Sequence, residues 1–124
     1  MSQYFQNGDD VLWNPATRVA GLFMDMAAAH ARLLGTPSGL GPMESDECQV
    51  DVPAFAAFTD AVIRDYARSH HLIKRSMTAG FAATALAVAR LGGGTVPATE
   101  EFADDPAVRR LAEMASENAA AMPR

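Results

Sequence analysis

The stretch from Ser69 to Gly94, SHHLIKRSMTAGFAATALAVARLGGG, decides the fold of this chain. It carries no charge between Arg75 and Arg90, and nearly every residue from Met77 to Ala89 is apolar or small. Alanine is the strongest helix former, and a helix that is apolar around most of its circumference is usually buried. The uncharged run is too short for a membrane span, which needs roughly 20 residues. The pattern therefore predicts a central, mostly buried helix that the glycines 92–94 end.

Length and composition bound the class of protein. The chain has 124 residues, of which 49% are hydrophobic, and this predicts one folded domain over residues 1–124. The net charge of −5 disfavours binding to nucleic acid. A single cysteine excludes an internal disulfide, and the N-terminus shows no signal-peptide pattern, so we expect a cytoplasmic protein.

The N-terminal segment has the pattern of a β-hairpin over residues 3–13. Asn7-Gly8 is a strong hairpin turn signal, and apolar residues lie on both sides of it. Trp13, the only tryptophan, is the expected anchor of this hairpin on the helices. Cys48 and Val50 alternate with polar residues further along, so a third strand can complete a small antiparallel sheet.

Four longer segments have helical patterns. Asn14-Pro15 and Asp105-Pro106 each combine a good N-cap with a proline suited to a first helical turn, and Pro53 opens another helix. The fold class is therefore mainly α: a compact bundle of about four helices with a small N-terminal β-hairpin or three-stranded antiparallel sheet. The predicted helices are 15–34, 53–68, 70–91 and 106–120.

One group of candidate site residues could line an apolar pocket between the helices. His30 lies within the apolar stripe of the first helix, where it is either a pocket residue or a histidine hydrogen-bonded near the core. Aromatic and methionine side chains around it have the character of a ligand pocket. The pocket candidates are Trp13, Phe23, Met26, His30, Phe58, Tyr66 and Met77.

A second group could hold a metal ion, although a solvated acidic loop is the simpler interpretation. Carboxylates cluster just before the third strand, but the spacing of a calcium loop is absent. Two adjacent histidines on a helix point in different directions and do not chelate one ion easily. The metal candidates are Glu44, Asp46, Glu47, His70 and His71. Acidic neighbours disfavour the thiolate of Cys48, so we expect a buried, inert thiol and no cofactor.

No catalytic or nucleotide-binding motif is present: the chain has no P-loop, no dinucleotide fingerprint, no HExxH, no GxSxG and no CxxC. The sequence therefore favours a non-catalytic interaction or regulatory protein that self-associates as a dimer or binds a protein partner. Two alternatives stay open. One is a small-molecule-binding protein or enzyme that uses the apolar pocket, and the other is a metal protein that uses the acidic loop.

Three stretches together resemble a family of small actinobacterial proteins of unknown function. They are GDDVLWNPATRVAGLF at residues 8–23, GLGPMESDECQVD at residues 39–51 and GFAATALAVARLGG at residues 80–93. This resemblance implies a bacterial, cytosolic origin. It implies no activity and no site residues.

Overall fold

The computed structural model describes all 124 residues and confirms a mainly helical fold with a small N-terminal sheet. The chain forms three short strands, four long helices and one short helix. The elements are β1 Tyr4–Asn7, β2 Asp10–Trp13, α1 Thr17–Leu34, β3 Glu47–Gln49, α2 Val52–Arg68, α3 Leu72–Leu91, α4 Ala98–Glu101 and α5 Pro106–Ala121.

The sheet is mixed, and the prediction of an antiparallel third strand is wrong. Its order is β2-β1-β3, with β1 antiparallel to β2 and parallel to β3. The Tyr4 amide donates to Asp46 O at 2.8 Å, and the Val50 amide donates to Gln6 O at 2.8 Å. Because all of α1 lies between β2 and β3, the chain can return to the same end of the sheet and enter β3 in the direction of β1.

Helix α1 begins at Thr17, later than the Asn14-Pro15 signal predicts. Ala16 precedes it and makes no capping hydrogen bond through its side chain. Instead, the Asn14 amide donates to Pro123 O at 2.7 Å, and Pro15 O accepts from the Gln3 amide at 3.0 Å. Backbone pairing with the two ends of the chain therefore holds residues 14–15 out of the helix.

The helices α2 and α3 form an antiparallel pair that the short segment 69–71 joins. His71 is the N-cap of α3, because its Nδ1 accepts from the Lys74 amide at 3.3 Å. Helix α3 therefore begins two residues later than predicted. At the other end, a Cβ on Gly92 would come within 2.9 Å of Val52 Cγ2, so this glycine permits close packing of the chain on α2.

Residues 92–105 return along α2 and allow α5 to run in the same direction as α3. Asp60 of α2 accepts from the Ala98 amide at 2.7 Å and also pairs with Arg64 at 2.6 Å. The start of α5 then lies beside the start of α3, where Arg75 pairs with Asp105 at 3.1 Å. Asp105 also caps α5 by accepting from the Ala107 amide.

An aromatic cluster connects the sheet to the helices. Phe5 of β1 stacks on Trp13 of β2 with ring centroids 5.6 Å apart. Phe23 of α1 contacts Trp13 edge-on at 5.4 Å, and its ring centroid lies 5.6 Å from that of Phe81 in α3. Phe55 of α2 lies 6.2 Å from Phe23. The sheet and α1 therefore pack on the helices through these aromatic rings.

The buried residues of α3 begin at Thr78 and lie mostly between Phe81 and Ala89, although the sequence predicts burial from Met77 onward. Phe81 is 2% exposed and Leu86 is fully buried, whereas Met77 is 73% exposed. Ile73, one turn before Met77, is also exposed. The first half of α3 therefore presents apolar surface that no other element of the chain covers.

Replacing Asp60 by alanine should destabilise the fold, because the Ala98 amide would lose its acceptor in a half-buried position. We expect the free energy of unfolding in urea to fall by about 1–2 kcal/mol. Asp60→Asn keeps an oxygen acceptor and should lose less. Asp104→Ala removes an exposed carboxylate that makes no hydrogen bond and should stay close to the wild type. Equal stability of Asp60→Ala and Asp104→Ala would contradict this role.

Candidate functional site

Helix α1 packs on the core along one narrow face. Of its 18 residues only Ala20, Phe23 and Ala27 are buried. Val19, Leu22 and Leu33 share the helical spacing of the apolar stripe that contains His30, but these residues are 47%, 62% and 62% exposed. The stripe is in fact two stripes, one against the core and one facing solvent.

The solvent-facing stripe of α1 has regular spacing. Val19, Leu22, Met26, Ala29 and Leu33 follow one another at intervals of three and four residues, which places them in a row along the helix. This spacing is the a and d pattern of helices that pack against another helix.

Helix α3 runs antiparallel to α1 and contributes a second row beside the first. Ile73, Met77 and Gly80 lie at the same intervals of four and three, and all three are exposed. We call the two rows together the α1–α3 face. It consists of Val19, Leu22, Met26, Ala29, Leu33, Ile73, Met77 and Gly80.

Two adjoining cavities of about 370 and 400 Å³ lie between the two rows and open to solvent. Met26 and Met77 border both cavities, so the two form one groove. His30 and Lys74 border the first cavity, and Trp13 and Phe23 border the second. The groove is largely apolar, with a histidine and a lysine at one end.

The structure brings together five of the seven predicted pocket residues, but around an open groove. Trp13 and Phe23 border the groove but are only 6% and 4% exposed. Phe58 and Tyr66 border neither cavity. Phe58 is fully buried in the core, and Tyr66 stacks under the Arg75 guanidinium at 4.6 Å. Of the seven predicted pocket residues, three both border the groove and remain accessible to solvent: Met26, His30 and Met77.

His30 lies flat on Phe81, with ring centroids 4.8 Å apart and ring planes 7° apart. Burial in this position lowers the pKa of His30 below its ordinary value of 6.5. Asp65 acts against this shift, and Lys74 adds to it. Lys74 and Asp65 pair with each other at 2.6 Å. The lowered pKa favours the neutral imidazole, which borders the largely apolar groove.

The metal candidates do not assemble into a site. No group of three or more His, Cys, Asp or Glu side chains in the chain is placed to share a metal ion. Glu44 and Glu47 pair through their backbones across a tight turn, in which Ser45 and Asp46 have positive φ. His70 and His71 lie at the α2–α3 junction, where His71 serves as a helix cap.

Cys48 is fully buried in β3. Burial raises the pKa of its thiol to about 11, and Sγ donates to Gly41 O at 3.3 Å. A thiol with this pKa is protonated at neutral pH and is a poor nucleophile.

The signal that sequence reasoning missed is the width of the apolar surface on α1. A helix that packs on one core needs one apolar stripe, and a second stripe on the same helix indicates a second contact. Leu22 and Leu33 lie beside Phe23 and Leu34 in the sequence, which is the visible sign of this doubling. The exposure of Ile73 has no equivalent signal, because it depends on where α1 lies.

The fold and this face together define a small helical-bundle protein with an N-terminal mixed sheet and an uncovered apolar groove. None of its helices combines the length and the apolar character that a membrane-spanning segment requires. The chain belongs to a family of unknown function, DUF6086, whose model matches residues 1–124. No curated protein and no solved structure matches the chain.

The lowered pKa of His30 predicts a loss of stability in mild acid. The unfolded chain takes up this proton as the pH falls through 6.5, whereas the folded state takes it up only at lower pH. Stability from this source is therefore complete above about pH 6.5 and falls between 6.5 and the folded-state pKa. An NMR titration of the imidazole should give a pKa below 6.5, and His30→Gln should remove this component of the acid destabilisation. A His30 pKa at or above 6.5 would contradict the burial.

Proposed function

We propose that this protein is a non-catalytic interaction module that self-associates through the α1–α3 face. The observation that carries the proposal is a continuous apolar surface, contributed by two helices, that nothing in the chain covers. A reducing bacterial cytoplasm, which the sequence resemblance implies, suits its single unpaired cysteine.

The exposure of this face is more than the scatter of single apolar side chains found on every protein surface. Leu22, Leu33 and Met77 are each more than 60% exposed and border one groove. Contiguous apolar patches mark sites that bind protein, membrane or ligand. The lining of the groove is largely apolar, and no group of three or more His, Cys, Asp or Glu side chains is placed to hold a metal ion there, which favours binding over chemistry.

The apolar burial available from the face is of the same order as the cost of association. Burial of the exposed part of Leu22, Leu33 and Met77 is worth about 1–2 kcal/mol for each side chain. A two-fold symmetric interface gains each contribution twice. The sum is comparable to the entropic cost of bringing two proteins together, which is about 4–15 kcal/mol. The flexible side chains of Met26 and Met77 can adapt to the shape of an opposing surface.

Gly80 supports contact with another backbone. A glycine inside an exposed helix costs about 1 kcal/mol relative to alanine. A Cβ on Gly80 would meet nothing within 4 Å in the chain, so internal packing gives no reason for this residue. Glycine at this position lets a second helix come closer to α3 than any side chain would allow.

Binding of a small apolar molecule is the second candidate function. The two cavities have the volume of ordinary ligand sites, and His30 and Lys74 supply polar groups at one end. Native mass spectrometry of protein purified without a tag distinguishes the two functions. A dimer without added mass supports self-association, and a monomer with an added organic mass supports the ligand site.

Charge placed on the α1–α3 face should abolish self-association without unfolding the protein. We expect Leu22→Glu and Met77→Glu to weaken dimerisation at least about tenfold in sedimentation equilibrium, because a buried, unpaired carboxylate is costly. Both side chains are exposed in the single chain, so the thermal midpoint of the monomer should change little.

Leu72→Glu is the matched control, since Leu72 is 78% exposed on the same helix. It lies roughly 140° around the helix axis from Met77 and borders neither cavity. This variant should associate as the wild type does. A wild-type protein that stays monomeric at several hundred micromolar would overturn the proposal, as would equal effects of Leu72→Glu and Met77→Glu.

Gly80→Ala should have opposite effects on the stability of the monomer and on its association. The added methyl group improves helix propensity and should raise the free energy of unfolding of the monomer by about 0.5–1 kcal/mol. If Gly80 lies at a helix crossing, the same substitution weakens dimerisation. Gly21→Ala is the control, because Gly21 is also exposed within a helix with open space around it but lies outside the face. It should stabilise the monomer without weakening association, and a gain in association for Gly80→Ala would contradict the close contact.

A further inference from the structure

The outer edge of the α1–α3 face carries three charged residues in a regular row. Arg18, Asp25 and Arg32 are seven residues apart, so they project from the same side of α1 at intervals of about 10 Å. Each directly precedes an apolar residue of the face. All three are exposed, and none of them has an ion-pair partner within the chain.

These residues occupy the positions that orient one helix against another. When Val19, Met26 and Leu33 are the a positions of a heptad pattern, the three charged residues are the g positions. The e positions on the opposite edge are Phe23 and His30, which lie against the core. Ion pairs between two copies of α1 can therefore form only between one g edge and the other.

The direction of the second helix follows from this restriction. In a parallel pair of helices a g residue faces an e residue of the partner, where Phe23 and His30 offer no opposite charge. In an antiparallel pair the two g edges lie side by side. A shift of the two-fold axis by about one turn toward the C-terminal end of α1 then sets the acidic Asp25 near a basic Arg32 instead of near another Asp25, and the opposite shift would set it near Arg18.

Net charge favours the same location. Each copy carries a net charge of −5, so two copies repel one another over most of their surfaces. The g edge of α1 has two arginines and one aspartate and is locally positive. An interface along this edge brings together the parts of the two copies that repel each other least.

We propose that, when the protein self-associates, α1 of each copy lies antiparallel along α1 of the other, with Asp25 of one copy paired with Arg32 of the second. The two-fold axis makes this pair occur twice. The inference rests on the proposed function and adds the partner's orientation and register.

A charge-swap experiment tests this pairing. In Asp25→Arg the two arginines of each pair repel, and in Arg32→Asp the two aspartates repel. We expect each variant alone to dimerise at least about tenfold more weakly than the wild type in low salt. The double variant Asp25→Arg/Arg32→Asp restores opposite charges and should recover most of the affinity. The differences should shrink as salt is added.

Mixing the two single variants gives the most specific outcome. Both pairs then join opposite charges, so an equimolar mixture should form heterodimers that native mass spectrometry resolves by mass. Asp104→Arg is the control, because it makes the same charge change at an exposed residue outside the face. Circular dichroism establishes that each variant is folded.

The outcomes separate this inference from the proposed function. Weak single variants with recovery in the mixture and in the double variant support the pairing. A wild-type dimer whose association responds to Leu22→Glu but not to the charge swaps overturns the antiparallel pairing alone. A wild-type protein without any self-association overturns both.

Discussion

The contact of Phe23 and His30 with Phe81 fixes the position of α1, and the rest of the molecule depends on this position. The Phe81 ring lies on the buried half of α3, where alanines otherwise dominate. Its ring centroid lies 5.6 Å from that of Phe23 and 4.8 Å from that of His30 in α1, and 6.2 Å from that of Phe58 in α2. Few large side chains of α1 face the core, so the solvent-facing stripe of this helix remains outside the core. The same contact that completes the fold therefore also leaves the α1–α3 face open.

Much of the fold follows from the sequence because local signals and burial agree. The helix predicted over 70–91, the cap-proline pair Asp105-Pro106 and the hairpin around Gly8 all correspond to observed elements, although α3 begins at Leu72. The direction of β3 could not be predicted, because its short alternating pattern is the same in parallel and antiparallel pairing. That direction depends on the path of α1 across the bundle. Similarly, Asn14 has the chemistry of a helix cap, but its backbone amide donates a hydrogen bond to the carbonyl oxygen of the distant Pro123.

Five of the seven pocket candidates that the sequence offers border the groove, but the sequence does not indicate its shape. The sequence predicts Met26, His30 and Met77 around an apolar pocket between the helices, and in the structure these residues border a groove that is open to solvent. Apolar residues at intervals of three and four look the same whether they face their own core or another molecule. Only the placement of α1 on Phe81 separates the two stripes. The sequence offers Glu44 and His71 as metal candidates, and their backbone and capping roles are visible only in three dimensions.

The face also explains features that a monomer does not require. Gly80 weakens α3 without meeting any neighbour, and Arg18, Asp25 and Arg32 remain unpaired while Arg64, Arg75 and Arg110 form ion pairs. A partner helix gives both features a physical reason. His30 contributes to the same surface in its neutral form, since a charged imidazole on the Phe81 ring would oppose apolar contact.

The most direct measurement is an isotope-filtered NOE spectrum of a mixture of labelled and unlabelled protein, because it reports only contacts between copies. Self-association through the α1–α3 face predicts intermolecular cross-peaks that involve the methyl groups of Leu22, Met26 and Met77. The account would be contradicted by a sample of dimeric mass whose intermolecular cross-peaks all arise from other surfaces. A strictly monomeric sample without such cross-peaks at millimolar concentration would contradict it equally.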